Sequence, residues 1–172
     1  MGIGGINPTV LLQNLGIIGN ILQSIAILMG LSLFMTGIFK LKRYGEMRTM
    51  MSHQMTIAAP LLMLVGGVML MSLPSMLHTV LLNFWSSNNP TAYTGGGTSQ
   101  WEQIIPPIIV FVRIIGVCAF MRGIVLFSRA GGEQAQHGTM SRALLHLLGG
   151  TLCVNIVGTL GLLKVILGDT PF

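Results

Sequence analysis

Cationic side chains are the chemistry most densely written into this chain. Lys40, Lys42, Arg43 and Arg48 fall close together with only Glu46 opposing them, and Arg122, Arg129 and Arg142 gather around a second junction opposed by Glu133. Bases beside a membrane attract anionic lipid headgroups at roughly 1 kcal/mol each. Lys40, Lys42, Arg43, Arg48, Arg129 and Arg142 are therefore the candidate lipid-binding residues. The same charges orient a membrane protein during insertion, which accounts for part of their number. Arg113 stands apart, inside a long apolar run. A central Arg costs about 2.5–3.5 kcal/mol on insertion scales, so it calls for neighbouring helices or water. The side-chain carbonyls of Asn20, Gln23 and Asn155 are its candidate acceptors, since no acid lies within an apolar run. In the alternative, the third span starts later, after Pro106-Pro107, and Arg113 reaches outward.

Other chemistries find little support. A proton or ion path calls for intramembrane carboxylates or His relays, but Glu46, Glu102, Glu133 and Asp169 all map to loops or span ends. His53, His78, His137 and His146 are scattered, and no HxxxH or CxxC spacing suggests zinc, so no metal site is expected. Cys118 and Cys153, one in each of two runs, read as free buried thiols. Ser32, Ser72 and Ser75 lack a His and Asp arrangement, so no nucleophilic catalysis is expected. There is no Walker motif, and the Met-rich stretches 47–55 and 63–71 read as adaptable helix packing rather than copper ligands.

The elements that must carry these residues follow from composition. Of 172 residues 52% are hydrophobic and only 8% charged. A soluble domain carries about 25% charged residues, so the composition argues strongly against a soluble enzyme and lipid is the implied solvent. A bilayer core needs about 20 apolar residues per helix. Four spans meet that: Ile17–Phe39, Met55–Leu77 (reaching towards Phe84), Ile104–Phe127 and Leu144–Leu167. The formal net charge of +5 reflects topology rather than a nucleic-acid site. The two basic junctions face the cytoplasm by the positive-inside bias, leaving both termini and the Gly/Ser/Asn/Thr-rich central loop on the periplasmic side. The chain thus divides into a first hairpin with its N-terminal segment (1–84), a loop (85–103) and a second hairpin (104–172). The start, MGIGGINPTVLLQ, lacks a basic n-region, so the first span is expected to be retained.

The halves resemble each other. Gly30, Phe34, Met35, Gly37, Ile38, Arg43 and Gly45 recur 86 positions later as Gly116, Phe120, Met121, Gly123, Ile124, Arg129 and Gly131. Gly66-Gly67 answers Gly149-Gly150 at an offset of 83. Both copies share one sidedness, so the repeat is parallel. In lipid no hydrophobic force drives helices together, and small residues permit the close approach that replaces it. Gly30, Gly37, Gly66, Gly67, Gly116, Gly123, Gly149 and Gly150 are the expected helix-packing positions, with Gly158 and Gly161 adding a stripe on the fourth span.

The chain resembles the IcmC/DotE family of type IVB secretion systems and I-type conjugative transfer. The likeness is carried by LKRYGEMRTMMS at 41–52, IAAPLLMLVGGVML at 57–70, WEQIIPPIIVFVRIIG at 101–116 and RALLHLLGGTLCVNIVGTL at 142–160. It implies a small inner-membrane component of a secretion or conjugation apparatus, and brings no catalytic residues. The helix, basic turn, helix layout also resembles conjugative pilins, whose basic turn meets phospholipid heads. The expectation is therefore an all-α membrane protein of four transmembrane helices in two tandem, pilin-like hairpins. It would have no cofactor beyond a structural phospholipid such as phosphatidylglycerol. Its expected partners are membrane lipid, further copies of itself and other secretion-system membrane subunits. A small channel or transporter subunit is the alternative, resting on Arg113.

Overall fold

The computed structural model describes residues 8–48, 57–85, 100–132 and 138–168. Most of the central loop, with Tyr93, lies outside these residues, as do His53, Glu133, His137 and Asp169. All the described elements are helices: α1 (Pro8–Arg48), α2 (Ala58–Met71), α3 (Leu73–Trp85), α4 (Gln100–Arg129), α5 (Thr139–Val154) and α6 (Ile156–Ile166). A chain this apolar has few side chains that can satisfy backbone donors and acceptors. The helix does so within each segment, as a lipid medium requires. The polar side chains follow the same rule. Ser24, Ser32 and Thr36 on α1 donate to the carbonyls of Asn20, Met29 and Ser32.

The 41 residues of α1 give a rod about 60 Å long at 1.5 Å per residue, twice the thickness of a bilayer core. The expected turn at Lys40–Arg48 is instead the C-terminal end of this helix. Polar residues there do not end the hydrogen-bonded ladder, and Lys42 and Glu46 make an i,i+4 pair at 3.8 Å. The helix α4 begins at Gln100 and includes Pro106 and Pro107. The helix therefore already runs through both prolines before it reaches Arg113.

Two helices, over Val10–Glu46 and Ile104–Arg129, are long and apolar enough to cross a membrane, and up to four if each bent pair is one span. The second and fourth of the expected spans are each broken into two helices. Between α2 and α3 the axis turns by 84°, and between α5 and α6 by 97°. Pro74 lies at the second position of α3. It has no N–H for the Leu70 carbonyl, and its ring would collide with that carbonyl in a continuous helix. At the break, the Ser72 hydroxyl and backbone N–H both donate to the Val68 carbonyl, each at 2.9 Å. The second break has no proline. Asn155 leaves the helical region (φ −119°, ψ 63°), and its side-chain oxygen accepts from the Gly158 N–H at 3.1 Å. The Thr159 hydroxyl lies 2.9 Å from the Leu152 carbonyl and 2.8 Å from that of Asn155, bridging the break. Side-chain hydroxyls and the Asn155 amide thus take up backbone groups where the ladder stops.

The core joins five of the six helices. Ala26 of α1, Leu70 of α2, Leu73, Leu77 and Leu81 of α3, Phe120, Met121 and Ile124 of α4 and Val154 of α5 form one buried cluster. Outside it the surface is apolar almost all round, with Leu28, Phe39, Leu145 and Ile166 more than two-thirds exposed. Water would not tolerate so continuous a patch, and acyl chains would.

Candidate functional site

Glycine sets how closely the helices meet. A Cβ atom at the packed glycines would find no room. At Gly30 it would lie 2.8 Å from the Gly67 carbonyl oxygen and 3.0 Å from the Met71 nitrogen. At Gly67 it would lie 2.8 Å from the Phe34 nitrogen. At Gly37 it would lie 3.0 Å from the Leu64 side chain. Contact therefore moves down α2 as it moves up α1, and the two helices are antiparallel with backbones touching. Between α4 and α5 the arrangement is the same. The Gly116 position meets the Gly150 carbonyl oxygen (2.9 Å) and the Val154 nitrogen (2.7 Å). The Gly150 position meets the Phe120 nitrogen (2.7 Å), and that of Gly123 meets Leu147 (2.9 Å). Every residue of the second set lies 86 or 83 positions beyond its counterpart in the first. So do the two helix breaks, since Asn155 follows Ser72 by 83.

The doublets divide their labour. Gly67 and Gly150 face the first helix of their own pair. Gly66 instead faces α4, where its Cβ would lie 2.8 Å from that of Ser128 and 3.6 Å from Ile124. A Cβ at Gly149 would meet nothing within 4 Å. The seam between the pairs continues at Gly131, whose Cβ would lie 2.8 Å from Leu62 and 3.0 Å from the Ala58 backbone. Neither Ser128, which is fully buried with its hydroxyl donating to the Val125 carbonyl, nor Gly131 stood out in the sequence as a packing position. The signal was present, since Gly131 repeats Gly45, but a glycine just past a helix end reads as a turn.

The seam also fixes where the cations lie. Because α2 and α4 run antiparallel with Gly131 against Ala58, α1 and α4 run parallel. Lys40, Lys42, Arg43 and Arg48 at the C-terminal end of α1, Arg129 at that of α4 and Arg142 in the first turn of α5 therefore gather at one end of the bundle. Lys40, Lys42, Arg43, Arg129 and Arg142 are exposed there. At this end His146 Nδ1 lies 2.8 Å from the Arg142 carbonyl. The bent segments α3 and α6 occupy the opposite end and meet where Trp85 closes over Gly158, a contact no sequence pattern announced. A Cβ at Gly158 would lie 2.5 Å from Trp85 Cδ1.

Arg113 is half-buried, nine residues into the apolar stretch that begins at Ile104. Among the described residues it makes no hydrogen bond or ion pair. Its candidate acceptors are engaged or turned elsewhere: Asn155 is buried and caps α6, while Asn20 and Gln23 are exposed on α1. Both cysteines are free, Cys118 exposed and Cys153 half-buried. Among the described residues no three His, Cys, Asp or Glu side chains approach closely enough to hold a metal ion.

Comparison with family models, curated proteins and solved structures gives no match for this chain.

Proposed function

We propose that the chain is a structural subunit of a bacterial type IVB secretion or conjugation apparatus of the IcmC/DotE kind. In this reading it is embedded in the inner membrane and assembles with further copies through helix packing in a pilin-like manner. The basic end faces the cytoplasm, with the termini and central loop on the periplasmic side. The observation that carries the proposal is the duplicated helix pair. Two antiparallel pairs, joined by the same glycine contacts, present their cations side by side at one end, where anionic headgroups such as phosphatidylglycerol would sit. The family likeness of the segments at 41–52, 57–70, 101–116 and 142–160 agrees with this and suggests the apparatus. The test is purification in a native-like lipid environment with measurement of particle mass and bound lipid. Oligomers retaining phosphatidylglycerol are expected, and a monomer without it overturns the proposal.

A second reading, as a small channel or transporter subunit, is favoured by the helix breaks at corresponding positions of the two halves, a feature of transporter cores. Arg113, at mid-depth, is its candidate polar group. Ion or solute flux in proteoliposomes that is lost on Arg113→Leu would establish this reading in place of the structural one.

A further inference from the structure

The seam between the two helix pairs is directional, and each of its halves has an unused counterpart at the far side of the molecule. Within the chain, Gly66 receives Ser128 and Ile124, and Gly131 receives Leu62. Shifting each partner by its offset of 86 or 83 gives Gly149 with Lys42 and Ile38, and Gly45 with Leu145. These counterparts cannot pair within one chain, because α4 is packed between α1 and α2 on one side and α5 on the other. They are all open. A Cβ at Gly45 or Gly149 would meet nothing within 4 Å, and Leu145 is 69% exposed. The α1 face tells the same story. Met121 and Ile124 are 6% and 0% exposed in the seam, whereas Met35 and Ile38 are 46% and 41% exposed.

We propose that a second copy of this chain seats its α1 face, Met35, Ile38 and Lys42, on the Leu145–Gly149 face of α5, repeating the internal seam between molecules. This deepens, and rests on, the reading of the chain as a self-assembling subunit. The internal seam is itself the specimen of the contact, built from the same repeated unit on both sides. Lys42, where the internal seam has Ser128, is accommodated because Gly149 leaves room for the aliphatic stem while the ammonium reaches the headgroup layer. The operation is head-to-tail and keeps every copy the same way up, so both cationic ends of each copy stay in one leaflet. Such a contact does not exhaust itself in a dimer and generates a ring or a filament.

Paired cysteines in membranes test this, in a Cys118→Ala/Cys153→Ala background. In the internal seam the Cβ of Ser128 and that of a residue at position 66 lie 2.8 Å apart, within about 1 Å of disulfide geometry. Lys42→Cys with Gly149→Cys should therefore give a ladder of dimers, trimers and higher species on oxidation. Either variant alone should remain monomeric, and mixing the two should give dimers only. Gly66→Cys with Ser128→Cys, which closes inside one chain, is the positive control. Gly45→Cys with Leu145→Cys repeats the test at positions open in the monomer, should the control variant fail to fold. Monomers in both intermolecular pairs mean that lipid covers these faces and overturn the proposal. Dimers from a single variant mean a symmetric contact and overturn it too. Oligomeric mass in native-like lipid without these cross-links sinks the seam alone, whereas monomeric mass sinks the subunit reading with it. Gly149→Leu, at an exposed position where a Cβ meets nothing within 4 Å, should leave the fold intact and weaken assembly by about tenfold or more.

Discussion

Adjacent glycines at one depth of α5 should respond oppositely to the same methyl group. In Gly150→Ala the new Cβ would lie 2.7 Å from the Phe120 nitrogen and 2.8 Å from the Gly116 carbonyl oxygen. Both are backbone atoms of α4 and cannot rotate away. Ordinary contact begins near 3.4 Å, so α4 and α5 must part by about 0.7 Å or distort locally. Overpacking of this kind costs about 1–3 kcal/mol, and the parting also forfeits contacts along the pair. In Gly149→Ala the same atom enters open space, and a change within about 0.5 kcal/mol is expected. The two variants should therefore differ roughly five- to 150-fold in the folded-to-unfolded ratio. Titration with a denaturing detergent in mixed micelles, followed by circular dichroism and Trp fluorescence, reads this difference. Gly116→Ala, whose Cβ would lie 2.7 Å from the Val154 nitrogen, should match Gly150→Ala. The double variant should cost less than the sum, because one parting of the helices relieves both collisions. Equal midpoints for Gly149→Ala and Gly150→Ala would refute the backbone contact and with it the antiparallel pairing.

Three further outcomes concern the breaks and the cations. Asn155→Ala removes the side-chain acceptor of the Gly158 N–H and should cost about 1 kcal/mol in the same titration, while Asn155→Asp, which keeps the acceptor, should cost less. Pro74→Ala restores the N–H that the Leu70 carbonyl lacks and should narrow the 84° bend, seen as a longer spin-label distance between the far ends of α2 and α3. An unchanged distance would mean that the burial of Leu73, Leu77 and Leu81 alone holds α3. Replacing Lys40, Lys42 and Arg43 with Gln should weaken retention of phosphatidylglycerol by about 3 kcal/mol, near 100-fold, with little effect on phosphatidylethanolamine. Retention that did not change would remove the headgroup role from this end.

The helix pairing was legible in the sequence because glycine spacing and close approach are the same physical fact. The seven-residue spacing of Gly30 and Gly37, and of Gly116 and Gly123, puts each pair on one face, while the doublets Gly66-Gly67 and Gly149-Gly150 mark a smooth patch without showing which glycine meets the neighbour. The bends were not legible. Apolar composition reports the medium around a segment but is blind to the direction of its axis, and only Ser72 interrupts it between Leu70 and Leu73. Pro74 was a cue, blunted because membrane helices often absorb proline. Asn155 offered a polar group in an apolar run, and from sequence its side chain was as free to face Arg113 as to cap α6. Capping is local, needing only the next few residues of the chain, and it is the contact formed. The cationic segment misled in the opposite sense. Lys40–Arg48 has the polarity of a loop but keeps good helix formers, so the ladder carries straight through.

The two breaks share a position but not a chemistry, and this bears on why the repeat takes its shape. One is built by Pro74 with the Ser72 hydroxyl, the other by Asn155 with Thr159. Common to both is the geometry around them. Gly30 presses on Met71, just before the first break, as Gly116 presses on Val154, just before the second. A helix held backbone to backbone against its neighbour up to that residue cannot also bury the next turns along the same line. The bend places Leu73, Leu77 and Leu81 in the buried cluster that also holds Phe120, Met121, Ile124 and Val154, and α3 touches α5, so that α3 of the first half joins the core of the second. The counterpart α6 has no further pair to close over, and its residues from Leu160 to Leu167 are exposed. The asymmetry therefore lies at the end of the array rather than within its unit, with α3 occupied and α6 spare. The same contrast separates Gly66 from Gly149, and a further helix pair supplied by another copy would remove it at both places.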